Sequence, residues 1–301
     1  MLPVFYAHAG FGGQPAAPSQ RRFINDIDRY GRLIDASRRA VSSLPGAVVG
    51  IAPHSLRAAT PEEIAAILPL AADGPVHIHI AEQTKEVEDC LAWSGKRPVE
   101  LLLDRLPVDE RWCLVHATHV TDAEIDGMIA RRAVAGLCPI TEANLGDGIF
   151  PARRFLDKGG HFGVGSDSNV LIDAAEELRL LEYGQRLVLR SRNALASTST
   201  PSTGRRLFEG ALAGGSQALG VTSGITVGAP ADFVSLQAYD SALVHRRHDQ
   251  WLDAWIFSGH HSLVDCVWRA GRKLVAGGRH EQREAIGQRY RQTLARMLQD
   301  A

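Results

Sequence analysis

The chain has 301 residues, of which 45% are hydrophobic and 22% charged, and its formal net charge is -1. This balance is typical of a globular protein and gives no cationic excess for binding nucleic acid or an anionic membrane surface. No apolar run reaches the roughly 18 residues that a membrane-spanning helix needs, and the N-terminus lacks the basic start and apolar core of a signal peptide. The four cysteines lie far apart without a CxxC pair, which predicts reduced thiols in a cytoplasmic protein.

Short β-rich runs alternate with helical patterns through the first 220 residues. Strands are predicted near residues 4, 50, 78, 115, 136 and 164, and the clearest helices over about 22–43, 85–93 and 98–105. Two further helices begin with a capping box, Thr60 with Glu63 and Thr121 with Glu124. Apolar strands that alternate with helices in this way indicate a parallel α/β sheet or barrel.

The pattern changes after about residue 220. The segments "GITVGAPADFVSL" and "DCVWRAGRKLVAGG" are short alternating runs divided by Gly and Pro, which predict antiparallel strands of a small β module. A helix is predicted from about residue 281 to 298. The sequence therefore divides into residues 1–220, 221–280 and 281–301.

Four predicted strands carry an ionisable residue at the carboxyl end, namely His54, His79, His116 and Asp167. In a parallel barrel these strand ends meet at one face, where active sites are built. A single buried histidine is more often structural, but the same feature on four strands favours a functional site. Three imidazoles and a carboxylate are also ligands that zinc or iron favours.

Several motifs resemble a known superfamily. "HIHIAEQ", "LVHATHV" and "GVGSDSN" are similar to strands five, six and eight of the amidohydrolase superfamily, whose members are metal-dependent (β/α)8-barrel hydrolases. "YAHAGFGGQPA", "APHSLRA" and "CPITEANLGDGIFPARRFLDKGG" more specifically resemble the formimidoylglutamate deiminase family of histidine degradation. The resemblance extends to "GAPADFVSL" and "VWRAGRKLVAGGRH", which are similar to the C-terminal half of that family's β-sandwich.

The resemblance also fixes the strand count. If the strand before Asp167 is strand eight, the one with His79 is strand five and the chain begins at strand three. The expected fold is an α/β amidohydrolase-type (β/α)8 barrel that is incomplete, with strands three to eight in residues 1–220, plus the C-terminal half of a small β-sandwich. Strand one of the superfamily supplies a separate His-x-His, so His77 and His79 are not that pair, and His77 is expected inside the barrel. Three explanations stay open: a misassigned start that makes Met1 internal, a truncated remnant, or one part of a split enzyme.

The resemblance implies roles for four residues. His79 and Asp167 are expected to bind the metal, and Asp167 also to orient or deprotonate a water molecule. Glu82 would carry a proton between this water and the leaving nitrogen. His116 would hydrogen-bond the water or the tetrahedral intermediate.

Substrate contacts are expected from His54 and Arg57 in the motif "HSLR". An arginine suits a dicarboxylate because its guanidinium binds a carboxylate with two hydrogen bonds. Glu142 and Asn144, in a segment expected to be a glycine-bearing loop, are assigned to the pocket without a role. The remaining C-terminal histidines are expected at the surface; they are His245, His248, His260, His261 and His280.

The function that the resemblance implies is zinc-dependent hydrolysis of N-formimino-L-glutamate to N-formyl-L-glutamate and ammonia. One zinc per site, or another divalent metal, a small-molecule substrate and a homodimer are expected. Two alternatives stay open: another amidohydrolase deaminase of the guanine or cytosine type, and a non-catalytic remnant without metal.

Overall fold

The structure is a computed structural model that describes residues 1–259 and 262–299. The chain divides into two units, Met1–Val221 and Thr222–Ala301. Among the described helices, none combines the length and the hydropathy needed to cross a lipid bilayer.

Six short strands form the centre of the first unit: β1 (Val4–Phe5), β2 (Ala52–Pro53), β3 (Val76–Ile80), β4 (Trp112–His116), β5 (Val134–Leu137) and β6 (His161–Val164). The strands pair in parallel, β1 with β2 and β3 to β6 in chain order. A single parallel bridge between Ile51 and Val76 connects the two groups. The sequence prediction of six strands in an α/β fold with a parallel sheet is therefore confirmed.

Nine helices of the first unit connect and follow these strands among the described residues. They are α1 (Ile27–Val41), α2 (Pro61–Ile67), α3 (Thr84–Ser94), α4 (Pro98–Arg105), α5 (Asp122–Ala130), α6 (Pro139–Leu145), α7 (Ala152–Asp157), α8 (Ala174–Leu189) and α9 (Thr203–Leu219), with 3₁₀ helices at Pro18–Phe23 and Leu68–Ala71. Both predicted capping boxes are confirmed, at the start of α2 and of α5.

The helix predicted over about 22–43 is confirmed as α1, with a later start. The Asp26 carboxylate accepts a hydrogen bond from the Arg29 amide (2.7 Å) and so starts α1 at Ile27. One expectation about local structure is wrong. The segment with Glu142 is a helix and not a loop. Pro139 occupies the first position of α6, and Gly146 ends it with a left-handed φ of 74°.

Helix α9 packs on one face of the sheet. The strand register aligns His77 with Cys113, Cys113 with Val134 and Val134 with His161, so these side chains share a face. The Ala218 side chain of α9 packs against Cys113 and Val134. His77 donates a hydrogen bond from Nε2 to the Ala218 carbonyl oxygen (2.7 Å). His77 is therefore used in packing α9, away from the carboxyl ends of the strands.

A pair of glycines allows α9 to lie close to β6. A Cβ atom added to Gly214 would lie 2.0 Å from the carbonyl oxygen of Phe162, whereas one added to Gly215 would meet nothing within 4 Å. The four glycines of α9 also explain why no helix is predicted there, since glycine has a low intrinsic helix propensity.

The second unit contains four antiparallel strands in the order β10-β9-β8-β7. Their bounds, with those of the two helices, are β7 (Phe233–Leu236), α10 (Gln250–Phe257), β8 (Val264–Arg269), β9 (Arg272–Ala276), β10 (Arg279–His280) and α11 (Arg283–Gln299). Only the end of "GITVGAPADFVSL" is a strand, and α10 was not predicted. Leu243, Ala254 and Leu263 form the buried cluster that α10 helps to build.

Three of the C-terminal histidines lie within the described residues. His245, His248 and His280 are exposed, as expected. His260 and His261 lie outside the described residues.

The four cysteines are free and buried, which agrees with the predicted reduced thiols.

Candidate active site

The predicted site residues lie at the carboxyl ends of the strands of the first unit. His54 directly follows β2, His79 lies near the end of β3, and Glu82 comes two residues after β3. His116 ends β4 and Asp167 comes three residues after β6. His116 and Asp167 have left-handed backbone conformations, with φ of 68° and 46°, where the chain turns away from the strand. Contacts among these side chains show that the structure brings them together.

The imidazole of His79 is held in one tautomer. Its Nδ1 lies 2.8 Å from the carbonyl oxygen of His54, which accepts but cannot donate a hydrogen bond. Nδ1 therefore carries a proton, which leaves Nε2 as the ring nitrogen that can bind a metal. This Nε2 lies 4.0 Å from Oδ1 of Asp167.

His116 is fully buried and faces three carboxylates. Its Nδ1 lies 3.3 Å from Oε1 of Glu142. Its Nε2 lies 3.8 Å from Oε1 of Glu82 and 3.9 Å from Oδ2 of Asp167, and has no hydrogen-bond partner among the described residues. Burial alone would lower the pKa of His116. The hydrogen bond to Glu142 and the charges of Glu82 and Asp167 outweigh burial and raise it.

The side chains of His79, His116 and Asp167 fit a metal ion. One potential ligand atom from each lies within 4.8 Å of the other two. The separations of 3.9 and 4.0 Å are too long for hydrogen bonds. A buried, unpartnered nitrogen is costly unless something binds it. An imidazole nitrogen and a carboxylate are suitable ligands for zinc, and the second imidazole nitrogen is placed to contact the metal or a water molecule beside it.

His116, Cys138 and Glu142 form a second group with similar spacing. Here Oε1 of Glu142 already accepts hydrogen bonds from the Cys138 amide (2.9 Å) and from His116. Burial raises the pKa of the Cys138 thiol far above its ordinary range, so the thiolate needed for metal binding is disfavoured. The group of His116, Cys138 and Glu142 is therefore a poorer metal site than the group of His79, His116 and Asp167.

Arg57 lies beside Glu82, the predicted proton carrier. Its Nη2 is 3.4 Å from Oε2 of Glu82 and 3.8 Å from Oε2 of Glu86. Glu86 is buried and accepts a hydrogen bond from the Glu82 amide (2.9 Å). The guanidinium thus bridges a buried carboxylate and the predicted proton carrier.

The ring of His54 lies between those of Tyr6 and His79. Its ring centroid is 4.8 Å from that of Tyr6, edge to face, and 4.9 Å from that of His79. Burial, with the nearby His79 and Arg57, lowers the pKa of His54 to about 4. His54 is therefore neutral at physiological pH and available for hydrogen bonding.

Sequence reasoning missed some residues that support the site. Glu86 stabilises the turn before α3, and Thr141 accepts a hydrogen bond from the Ser168 amide (3.2 Å), next to Asp167. Glu177 accepts a hydrogen bond from the Ile140 amide (3.0 Å) at the start of α6. The spacing of four residues between Glu82 and Glu86 is a sequence signal that could have identified Glu86. The contact of Glu177 on α8 with α6 has no such signal, because it depends on how the two helices pack.

Comparison with known proteins gives consistent matches. The profile of the amidohydrolase family matches residues 15–274. Formimidoylglutamate deiminase of Pseudomonas aeruginosa is 51% identical over 300 residues, covering 99% of this chain and 66% of that enzyme. An amidohydrolase crystal structure from Brucella melitensis is 55% identical, with a TM-score of 0.95 over 99% of this chain and 66% of that one.

A more distant match is the crystal structure of an adenosine deaminase from Xanthomonas campestris with bound zinc. It is 23% identical, with a TM-score of 0.83 over 99% of this chain and 65% of that one, which shows a shared fold. This chain spans about two thirds of the length of each of these three proteins.

Proposed function

The chain belongs to the amidohydrolase family, and we propose that it catalyses the hydrolytic deimination of N-formimino-L-glutamate in histidine degradation. The products are N-formyl-L-glutamate and ammonia. The 51% identity to formimidoylglutamate deiminase supports this substrate. The observation that carries the proposal is the arrangement of His79, His116 and Asp167 around one point, with Glu82 beside it.

We propose that β1 to β6 correspond to strands three to eight of a (β/α)8 barrel. The strands of the second unit correspond to the C-terminal half of a small β-sandwich. Residues 1–220 are then the barrel portion, 221–280 the sandwich portion and 281–301 the terminal helix. The parallel order of the first six strands supports the barrel assignment.

His79 and Asp167 are proposed as metal ligands and zinc as the metal. When bound, zinc acts as a Lewis acid and lowers the pKa of a water molecule towards neutrality. The His54 carbonyl holds His79 with Nε2 available, as an outer hydrogen bond to a ligating histidine does.

The protein side chains then move protons during hydrolysis. Asp167 orients the attacking water, whose oxygen forms a bond to the formimino carbon. His116, whose Nε2 faces the space between Glu82 and Asp167, donates a hydrogen bond from this nitrogen to the oxygen. Glu82 accepts a proton from the water and delivers it to the terminal nitrogen. The hydroxyl proton of the tetrahedral adduct then passes by way of Glu82 to the same nitrogen, so that the C–N bond breaks, ammonia leaves and the carbon keeps the oxygen as a formyl group.

His54 and Arg57 are proposed to bind the substrate. The guanidinium of Arg57 suits a substrate carboxylate, and its Nε is buried without a partner among the described residues. Its position beside Glu82 brings the carboxylate-binding group close to the proton carrier. A guanine- or cytosine-type deaminase is less favoured, because a nucleobase has no carboxylate for Arg57.

A homodimer and a cytoplasmic location complete the proposal. The cytoplasmic location is supported by four free, buried cysteines, since a reducing compartment keeps thiols unpaired. The homodimer is supported by the resemblance of the sequence motifs, and sedimentation of the purified chain tests it.

A substrate panel tests the activity. The purified chain, supplied with zinc, is incubated separately with N-formimino-L-glutamate, N-formiminoglycine, guanine and cytosine, and released ammonia is measured. We expect ammonia from the formimino acids, with a lower KM for the dicarboxylate. Ammonia from a nucleobase with none from N-formimino-L-glutamate would contradict the proposal, and ammonia from no compound would favour a non-catalytic protein.

A further inference from the structure

Glu142 is a buried carboxylate that touches one of the proposed catalytic side chains. It lies on α6 with only 4% of its surface exposed. Its Oε1 accepts hydrogen bonds from the Cys138 amide (2.9 Å) and from Nδ1 of His116 (3.3 Å). One carboxylate oxygen therefore joins the end of β5 to the end of β4.

This contact determines where His116 points. A carboxylate without a proton only accepts hydrogen bonds, so Nδ1 of His116 carries a proton and faces Glu142. The opposite ring nitrogen, Nε2, then faces the space between Glu82 and Asp167, at 3.8 and 3.9 Å from their oxygens. Rotation of the ring would break the contact with Glu142 and remove Nε2 from this space.

Helix α6 is itself fixed on two sides. Glu177 of α8 accepts a hydrogen bond from the Ile140 amide (3.0 Å). The Thr141 hydroxyl donates to the carbonyl oxygen of Ser166 (3.0 Å) and accepts from the Ser168 amide (3.2 Å). Since Ser166 and Ser168 flank Asp167, the helix that carries Glu142 is bound to the segment that carries the proposed metal ligand.

We propose that Glu142 is a positioning residue that holds the His116 ring with Nε2 directed at the reacting oxygen. The inference rests on the proposed function, because it assigns the role of Glu142 through His116. Glu142 also has a simpler role available, which is to satisfy the amide at the start of α6. Glu177 satisfies a neighbouring amide of the same helix but has no contact with His116 among the described residues, so it provides a matched control.

The kinetic test compares Glu142→Ala, Glu142→Gln and Glu177→Gln with the wild type. Loss of the outer hydrogen-bond partner of a metal-ligating histidine typically reduces activity about 10- to 100-fold, and we expect an effect of the same order for His116. We expect Glu142→Ala to lower kcat by that factor with KM within about threefold of wild type. Glu142→Gln keeps an oxygen that accepts from Nδ1, and it should recover most of the lost kcat. Glu177→Gln keeps an oxygen that accepts from the Ile140 amide and leaves the contact between Glu142 and His116 in place, so it should stay within about twofold of wild type.

A second measurement needs no turnover. Nitrogen-15 NMR of the His116 imidazole, recorded at a pH high enough to make the ring neutral, reports which ring nitrogen carries the remaining proton. We expect a protonated Nδ1 in the wild type and in Glu142→Gln, and a mixture of tautomers in folded Glu142→Ala. An unchanged His116 spectrum in folded Glu142→Ala would overturn the inference.

The two readouts separate the inference from the proposed function. Wild-type protein that releases no ammonia, but shows the NMR change on Glu142 substitution, would contradict the function and support the positioning role. Wild-type protein that is active, with a Glu142→Ala variant that keeps kcat within about twofold, would support the function and overturn the positioning role.

Discussion

His79 and His116 use the same hydrogen-bonding arrangement at the candidate site. Nδ1 of His79 donates a hydrogen bond to the carbonyl oxygen of His54, and Nδ1 of His116 donates one to Glu142. Each then directs Nε2 towards Asp167. Because both rings are held before any ligand arrives, the site requires little rearrangement to bind a cation or a polar substrate.

Glu82 is the residue whose loss should affect catalysis most selectively. Glu82→Gln keeps the shape of the side chain but cannot carry a proton, and a general acid-base residue contributes roughly 10²- to 10⁴-fold to the rate. We expect kcat for ammonia release from N-formimino-L-glutamate to fall by that factor while zinc content stays unchanged. Glu88→Gln is the control, since Glu88 is an exposed residue of α3, the helix that follows Glu82. Equal loss in both variants would contradict the role of Glu82.

Glu177 should make stability depend on pH. Burial raises the pKa of this carboxyl to about 7, so the folded protein holds its proton over a range in which the unfolded chain has released it. Since the folded state binds more protons between about pH 4.5 and 7, the contribution of Glu177 to the free energy of unfolding falls as pH rises through that range.

The measurement compares wild type with Glu177→Gln by urea unfolding at several pH values. The side chain of glutamine does not titrate. We therefore expect the wild type to lose stability relative to the variant by about 3 kcal/mol from pH 4.5 to pH 7.5. A difference that is constant across this range would show that Glu177 does not hold its proton.

At the scale of elements, helix α9 covers one face of the strands, and helix α6 contacts residues at their carboxyl ends. Helix α6 carries Thr141 and Glu142, which contact the segment around Asp167 and the ring of His116. Helix α9 packs over the row of side chains that includes His77 and leaves the carboxyl ends of the strands to the candidate site. His77 therefore contributes to helix packing, whereas the polar residues at the carboxyl ends of the strands form the candidate site.

Adjacent glycines of α9 allow a test of this packing. Gly214→Ala would place a methyl group against the Phe162 backbone, and overpacking typically costs 1–3 kcal/mol, with about 2 kcal/mol expected here. Gly215→Ala meets no neighbour and should raise the free energy of unfolding by up to about 1 kcal/mol, because alanine is the better helix former. Urea unfolding of the two variants measures the difference. Equal stabilities would mean that α9 does not approach β6 as described.

At the scale of the whole molecule, every candidate site residue lies in the first unit, Met1–Val221. The sequence predicts the parallel strands and the position of His79, His116 and Asp167, because apolar strands and their polar carboxyl ends follow a local pattern. It does not predict the contact of Glu142 with His116, which joins residues 26 positions apart through the packing of α6. It also does not predict that Arg57 contacts Glu82, since this ion pair depends on the relative position of two strand ends.

Zinc binding should stabilise the folded chain. A ligand that binds only the folded state stabilises it by about 2.7 kcal/mol at a free concentration 100 times its Kd. We expect the melting temperature to rise when zinc is added to chelator-treated protein, and to rise less for Asp167→Asn. The exposed Asp89→Asn variant of α3 should respond like the wild type. A zinc-dependent rise of the same size in Asp167→Asn would place the metal elsewhere.

The most direct test of the proposed metal centre and its activity measures zinc content and ammonia release together on wild type and His79→Ala. With zinc supplied, the wild type should retain close to one zinc per chain and release ammonia from N-formimino-L-glutamate. Both properties should be lost in a folded His79→Ala variant. Zinc and turnover that persist without His79, or a wild type that binds zinc and leaves N-formimino-L-glutamate unchanged, would contradict the account.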